Sequence, residues 1–291
     1  MTMSASDSPA PTRLCPVCAQ PTSAREVDRF RGGGFFQCAR CAVQYAASDQ
    51  CAPAEYYENL WGRADSGEYH LKAQAAHDAH NTSMLLAQMP RYRWAVRHLR
   101  RLALQSRVLD IGCGEGSLLW AAQKLGLEPH GCDVAPEACR LARGLVKGAT
   151  IHEGSFSELE YAPGTFDCIV ALEILEHLAD PHSLLRFCAA RLKPSGALLL
   201  TTPNRRRFFT LVRSALGRPH ASTDYPPHHW TRWSGTALRR FLGGYFEHVR
   251  LGELPYYFRS QAGRALAVLL HVACARRLGQ SLWAAARKPR K

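Results

Sequence analysis

No apolar run in this chain reaches the roughly 18 residues that a membrane-crossing helix needs, so a span is not expected. Residues 1–12 are rich in Ser, Ala and Pro and lack both a basic start and an apolar stretch. They read as a disordered tail, with no signal peptide, and the expected location is the cytoplasm. Lysine is scarce, 6 against 31 arginines, so a basic stretch here also fits an arginine-biased composition. Acidic residues are scarce in the last third. Residues 201–291 hold 17 Lys and Arg against 3 Asp and Glu, whereas the first 200 hold 20 against 21. A neutral first part and a basic C-terminal part allow nucleic acid, an anionic membrane surface touched peripherally, or a phosphorylated substrate as partner. The 11 cysteines lack a secretory context, which argues against a disulfide scaffold.

What is present is a chain long enough, at 291 residues, for one large α/β domain and a small appendage. It is organised around Val108-Leu109-Asp110-Ile111-Gly112-Cys113-Gly114-Glu115-Gly116, a buried-strand pattern, a glycine turn and the start of a helix. Glycine at 112, 114 and 116 lets the backbone approach a ligand, and the helix start offers unpaired N–H groups and the positive end of its dipole. A carboxylate or a phosphate suits such a place. The third glycine falls one residue early for the dinucleotide fingerprint, and Asp110 precedes the first by two.

Strand and helix patterns alternate with short loops from there on, the pattern of a doubly wound parallel sheet. Strands are expected at 107–111, 128–133, 150–153, 166–171, 197–202, 246–251 and 281–287. Helices are expected to begin near Gly116, Pro136, Phe156 and Pro181, with another at 237–242. Before the first of these strands the pattern is helical over 54–61, 71–89 and 92–104. Trp94, Val96, Leu99, Leu102 and Leu104 give the last of them a partly apolar face. Ligands bind such a sheet at the carboxyl ends of its strands, where strand order reverses.

The D-x-G-x-G-x-G turn and the Gly131-Cys132-Asp133 that follows it resemble the class I S-adenosylmethionine (SAM) methyltransferases. The segment Glu173-Ile174-Leu175-Glu176-His177 is similar to the E-x-x-E-H signature of the ubiquinone-type O-methyltransferases and their broad relatives. Lys193-Pro194-Ser195-Gly196 and Thr202-Pro203-Asn204 match that group's K-P-G-G and T-P-N landmarks, with Ser195 for the first glycine. The resemblance covers roughly residues 92–291. It implies a seven-stranded Rossmann-like sheet whose last strand is antiparallel and lies between strands 5 and 6. It also implies a cofactor site in which Asp110 lies near the methionine amino group, the Gly112-Cys113-Gly114 and Gly116 backbone cradles the methionine moiety, and Asp133 takes the ribose hydroxyls. Ser155 and Phe156 then meet the adenine, and Glu173 borders the same pocket. No Ser-His-Asp or catalytic-cysteine constellation is needed, because SAM carries its own activation.

Glu173, Glu176 and His177 share one face if the turn that carries them is helical. His177 then has three readings. It is a general base for an acceptor hydroxyl, helped by Glu173 and Glu176. It belongs to a divalent-ion site with Glu173, Glu176 and His228 or His229, for which Mg(II), Mn(II) and Zn(II) all fit mixed O and N ligands. Or it forms a purely structural Glu-His pair. The ubiquinone O-methyltransferases and the small-RNA terminal 2'-O-methyltransferases are similar in holding a metal on this signature, and His228-His229-Trp230-Thr231-Arg232 looks like the RNA enzymes' later histidine segment.

Cys15-Pro16-Val17-Cys18 and Cys38-Ala39-Arg40-Cys41 are two C-x2-C knuckles, which place four thiolates around a structural Zn(II) in a segment too short for an apolar core of its own. The expected organisation is therefore a tail (1–12), a zinc ribbon (13–50), a helical cap (51–105) and a SAM-binding domain (106–291) with a basic insertion (205–236). The insertion reads as an interfacial helix, as a lid with arginines for an acceptor phosphate, or as a plain packed helix; 260–278 reads as an apolar helix with basic flanks. The expected activity is O-methylation of a small-molecule acceptor, whether glycan, lipid-linked or quinone-like. An RNA methyltransferase and a non-catalytic SAM-binding or ribbon protein are the alternatives. No recognisable RNA-binding module accompanies the basic stretch.

Overall fold

The computed structural model describes residues 12–30, 33–47, 79–205, 228–255 and 279–290. The tail before Thr12, the helix expected at 54–61, most of the basic insertion (206–227) and the apolar helix expected at 260–278 lie outside the described residues. So do Cys51 and Cys274.

Short apolar runs bounded by glycine or proline became the central sheet. β5 (Arg107–Ile111), β6 (Glu128–Asp133), β7 (Thr150–Glu153), β8 (Phe166–Leu172) and β9 (Leu192–Pro203) run parallel, and β11 (Phe246–Leu254) and β12 (Ser281–Pro289) complete it. The order is β11-β12-β9-β8-β5-β6-β7, with β12 antiparallel to both of its neighbours, so the chain has the doubly wound seven-stranded fold. Residues alternate across the sheet. Leu109, Ile169, Leu198, Leu200 and Ala284 pack with α5 (Pro181–Arg191) and α6 (Gly235–Gly243) on one side. Val108, Cys168, Val170, Leu199 and Ala285 face the other side, covered by α1 (Ala79–Gln88), α2 (Pro90–Leu99) and α3 (Ser117–Lys124). α4 (Pro136–Leu145) packs beside α3, with Ala142 against Gly116.

The helices start where the sequence provides starts. Pro90, Pro136 and Pro181 stand at first-turn positions. Asp180 accepts the His182 N–H at 2.9 Å and Ser234 accepts the Ala237 N–H at 3.3 Å. Two expectations are corrected. The helix expected over 92–104 begins earlier and stops at Leu99, and Leu104, 78% exposed, lies beyond it and contributes nothing to the apolar face. The helix expected from Phe156 is a single 3-10 turn, Phe156–Glu158, because Ser155 caps the Ser157 N–H and the chain returns to extended geometry at Leu159.

A second sheet, in the order β1-β2-β3-β4-β10, is built from β1 (Thr12–Leu14), β2 (Pro21–Phe30), β3 (Gly33–Cys38), β4 (Gln44–Ala47) and β10 (Thr231–Arg232). β10 comes from the distal part of the stretch expected to be an insertion. It pairs antiparallel with β4, Thr231 opposite Tyr45 and Arg232 opposite Gln44. Val17, Phe36, Val43 and Tyr45 of this sheet share one buried cluster with Leu184, Trp233 and Phe241. The junction is a packed core. Among the described residues no helix is long and apolar enough to cross a membrane.

Trp233 is fully buried, stacks on Phe241 at 5.1 Å between ring centroids and donates its indole N–H to Thr231 at 2.9 Å. Trp233→Ala is expected to cost about 3–5 kcal/mol, seen as a lower urea midpoint with unchanged slope.

Candidate active site

The buried Asp110 is the penultimate residue of β5, and after Ile111 the chain turns back on itself with positive φ at Gly112 (72°), Gly114 (55°) and Gly116 (87°). The turn is tied to β6, because Gly112 and Cys113 both donate to the Cys132 carbonyl, at 2.8 and 3.0 Å. Cys113 is buried, and burial pushes its thiol well above the usual value, so it is a packing residue with no nucleophilic character. Gly116 is where side-chain absence matters most. A Cβ there would stand 3.0 Å from Ala142 Cβ and 3.1 Å from its Cα, so α4 could no longer lie against the start of α3.

Asp133, at the end of β6, is held from two sides. Its Oδ2 accepts the Gly114 N–H at 2.9 Å and its Oδ1 accepts the Ala135 N–H at 3.0 Å. These two hydrogen bonds fix the direction of the carboxylate at the end of β6. The backbone of the next strand is tied in as well, with Gly154 N–H donating to the Asp133 carbonyl at 2.9 Å. Ser155 spends its hydroxyl on the 3-10 turn, and Phe156 turns inward, its ring at 5.6 Å from Phe187.

β8 is hydrogen-bonded alongside β5, Ile111 opposite Ala171, and the loop after it therefore meets the glycine turn. Ile174 sits where a Gly112 Cβ would be. Glu173 has φ 57° and donates its N–H to Thr201 at 2.9 Å, so it stands before the 3-10 turn Leu175–His177 and outside it. The three residues do not share a helical face.

Glu176 is 1% exposed, with Oε2 accepting the Thr202 hydroxyl at 2.9 Å and Oε1 lying 3.8 Å from His177 Nε2. Burial first, then the Glu173 charge, hold its carboxyl well above the usual carboxylate range. His177 Nδ1 lies at 2.5 Å from the His228 carbonyl. A carbonyl can only accept, so Nδ1 carries the shared proton. The His229 ring stands edge-on to His177 at 5.0 Å, and donor atoms of Glu176, His177 and His229 all lie within 4.8 Å of one another. Of the five residues expected around a second ion, Glu173 is not in this group and His228 meets His177 through its carbonyl. Burial lowers the His228 imidazole. Sequence reasoning passed over Trp230, whose N–H donates to the Glu176 carbonyl at 2.7 Å. Its position directly after the two histidines was the available signal.

In the second sheet the four knuckle sulfurs converge: Cys15 Sγ is 3.6 Å from Cys41 Sγ, and Cys18 Sγ is 3.7 Å from Cys38 Sγ. Four sulfurs at about 2.3 Å from one ion would be about 3.8 Å apart in a tetrahedron, so the spacing fits Zn(II).

A family model described as a methyltransferase domain matches residues 83–251. The chain is 41% identical over 105 residues to a ubiquinone biosynthesis O-methyltransferase of Xanthomonas euvesicatoria pv. vesicatoria, covering 34% of this chain and 44% of that one. It is 41% identical over 111 residues to the corresponding Xanthomonas campestris pv. campestris protein, covering 36% and 46%. The chain thus spans somewhat under half the length of these curated relatives. Among solved structures it is similar to a chain of the complex between the Haloferax volcanii Trm112 methyltransferase activator and a methyltransferase, with TM-score 0.54, 21% identity and coverage of 76% and 98%. It is also similar to a SAM-dependent methyltransferase of Archaeoglobus fulgidus, with TM-score 0.51, 19% identity and coverage of 71% and 94%.

Gly116→Ala should destabilise by about 3 kcal/mol or more, combining left-handed strain of about 1–2 kcal/mol with the Ala142 collision. Gly148, with φ 82° and open space where a Cβ would go, is the control. Gly148→Ala should show the strain alone in the same urea titration.

Proposed function

The chain belongs to the methyltransferase-domain family, and from that premise we propose that it transfers the methyl group of SAM to a hydroxyl of a small-molecule acceptor. The observation that carries this reading is the meeting, at the adjacent ends of β5 and β8, of a glycine turn with an oriented carboxylate and a histidine held at Nδ1 by the His228 carbonyl. In this reading Asp110, Gly112, Cys113, Gly114 and Gly116 hold the methionine part of SAM, Asp133 the ribose, Ser155 and Phe156 the adenine side, and Glu173 the border with the acceptor.

When bound, SAM supplies a methyl group on a sulfonium sulfur; the carbon–oxygen bond forms as the carbon–sulfur bond breaks, and the sulfonium charge is lost. His177 Nε2 takes the acceptor's proton. The His228 carbonyl fixes the tautomer that makes this possible and is near enough to stabilise the imidazolium that results. Glu176, kept neutral by burial, orients the turn through Thr202. The quinone-type acceptor of the Xanthomonas relatives motivates a phenolic hydroxyl as the first class to test.

Two metal assignments accompany this reading. Cys15, Cys18, Cys38 and Cys41 hold a structural Zn(II): their four sulfurs converge at the spacing of a tetrahedral site. A second reading of the active site, favoured by the convergence of Glu176, His177 and His229, is a divalent ion on these three residues that would acidify the acceptor hydroxyl.

Calorimetry should give SAM binding by the native chain and at least tenfold weaker binding by Asp133→Ala. No SAM or S-adenosylhomocysteine binding by the zinc-loaded native chain would overturn the reading. With labelled SAM and a panel of phenolic, glycan and RNA acceptors, His177→Ala should keep SAM binding and lose about 10²–10⁴-fold in transfer to the acceptor that the native chain uses. His229→Ala separates the two active-site readings. It abolishes the Mn(II)- or Zn(II)-dependent rate if the ion is held there, and leaves a metal-independent rate if His177 acts alone.

A further inference from the structure

Trp230 is pinned from both sides by main-chain hydrogen bonds. Its carbonyl accepts the N–H of Ala46, at 2.8 Å, in β4 of the cysteine-bearing sheet, and its N–H donates to the Glu176 carbonyl at 2.7 Å. The two residues before it carry the His228 carbonyl and the His229 ring that face His177. One peptide segment therefore connects the sheet that holds the four sulfurs with the turn that holds the candidate base. Cys41 is five residues from Ala46 along the same strand entry.

The seam around this segment is built from charge and main chain. Arg232 reaches Asp28 of β2 at 2.7 Å with both side chains largely buried, and its guanidinium lies 3.7 Å over the Phe35 ring. Arg205 donates to Gln37 and to the carbonyl of Ala42, the residue after Cys41, each at 3.0 Å, and its own N–H donates to Trp233 at 2.9 Å. His182 lies 2.8 Å from the carbonyl of Val17, inside the first knuckle, so its Nε2 carries the donated proton. Arg205 and Trp230, on either side of residues 206–227, thus both meet the cysteine-bearing sheet. The glycine turn, by contrast, is tied to β6 and α4, away from this seam.

We propose that the four-cysteine sheet is a positioning part of the methyl-transfer site. Its metal orders β4, β4 holds Trp230, and Trp230 sets His229 and the Glu176–His177 turn against each other; Arg232 and Trp230 are positioning residues that touch no reactant. The proposal rests on the methyl-transfer reading for what the site does, but not for how the site is held. The apolar side of the sheet completes a core shared with the larger domain, and the four sulfurs order its knuckles and the entry to β4; with an ion on them that order passes through Trp230 to His229 and the His177 turn. The cofactor half, hung on separate strands, is left alone.

The test uses the full chain and needs no acceptor. Amide exchange is followed in the zinc-loaded native protein, in the same protein after zinc removal by a chelator, in Arg232→Asp and in the charge-swapped pair D28R/R232D. S-adenosylhomocysteine binding is measured by calorimetry, and the Co(II)–thiolate absorption band reports whether the knuckles still close. In R232D the Co(II) band should persist and S-adenosylhomocysteine affinity should stay within twofold, while exchange at Trp230 and Ala46 accelerates at least tenfold. The swap should restore most of that protection, and zinc removal should reproduce the loss. Unchanged Trp230 exchange in R232D or after zinc removal overturns the proposal. So does equal loss of protection at Gly112–Gly116, which would make the seam a general stabiliser. If the native chain shows this exchange pattern yet ignores S-adenosylhomocysteine, the methyl-transfer reading fails and the coupling stands.

Discussion

Parallel pairing of β5 with β8 is the constraint on which the site depends. With Ile111 opposite Ala171, the two strands deliver their following loops to the same edge of the sheet. One loop is a glycine turn whose open backbone lies against α4, and the other places Ile174 over that turn and buries Glu176. A slip of one residue would turn every side chain of one strand to the opposite face. Leu109 and Val108 would exchange layers, and the acid of Asp110 would leave the position it holds at the ligand edge. The alternating burial on both sides is therefore what registers the chemistry as well as what stabilises the sheet.

Electrostatics divides the site into two halves of different character. Asp133 is half-buried and is steered by two backbone N–H groups. Glu176 is enclosed and beside another carboxylate, which favours its neutral form. Two acids a few strands apart thus stand in different surroundings, one among backbone donors and one enclosed beside a histidine. The same enclosure makes the Glu176 pocket suitable for a cation, since an ion held by Glu176, His177 and His229 would supply the charge that burial otherwise refuses.

The cysteine-bearing sheet changes the picture of domain organisation. Its spacing announced a ribbon with a closed metal site, and the sulfur geometry suits that. Its packing does not suit an appendage, because Val17, Val43 and Tyr45 share a core with Leu184 and Trp233, and its last strand comes from residues 231–232. Small metal-ordered sheets have little apolar surface to spare, and here that surface is completed by α5, α6 and a returning segment of the larger domain.

Local pattern was enough for much of this protein. Residues 107–111, 128–133 and 150–153 were legible as strands to the residue, because apolar periodicity and flanking glycine or proline act over a few positions, and the cysteine pairs and the glycine turn are equally local. Where the outcome depended on partners far away in sequence, the tertiary structure decided. Leu104 is free of the α2 face because the helix ends at Leu99, Glu173 adopts φ 57° because its N–H is claimed by Thr201 of β9, and β10 exists because β4 offers it an edge. The sequence by itself determined which residue types were available for the chemistry. Only the folded chain, by closing hydrogen bonds between segments fifty to two hundred residues apart, decided that His229 and not His228 turns its ring toward His177, and that the cysteine-bearing sheet stands behind it.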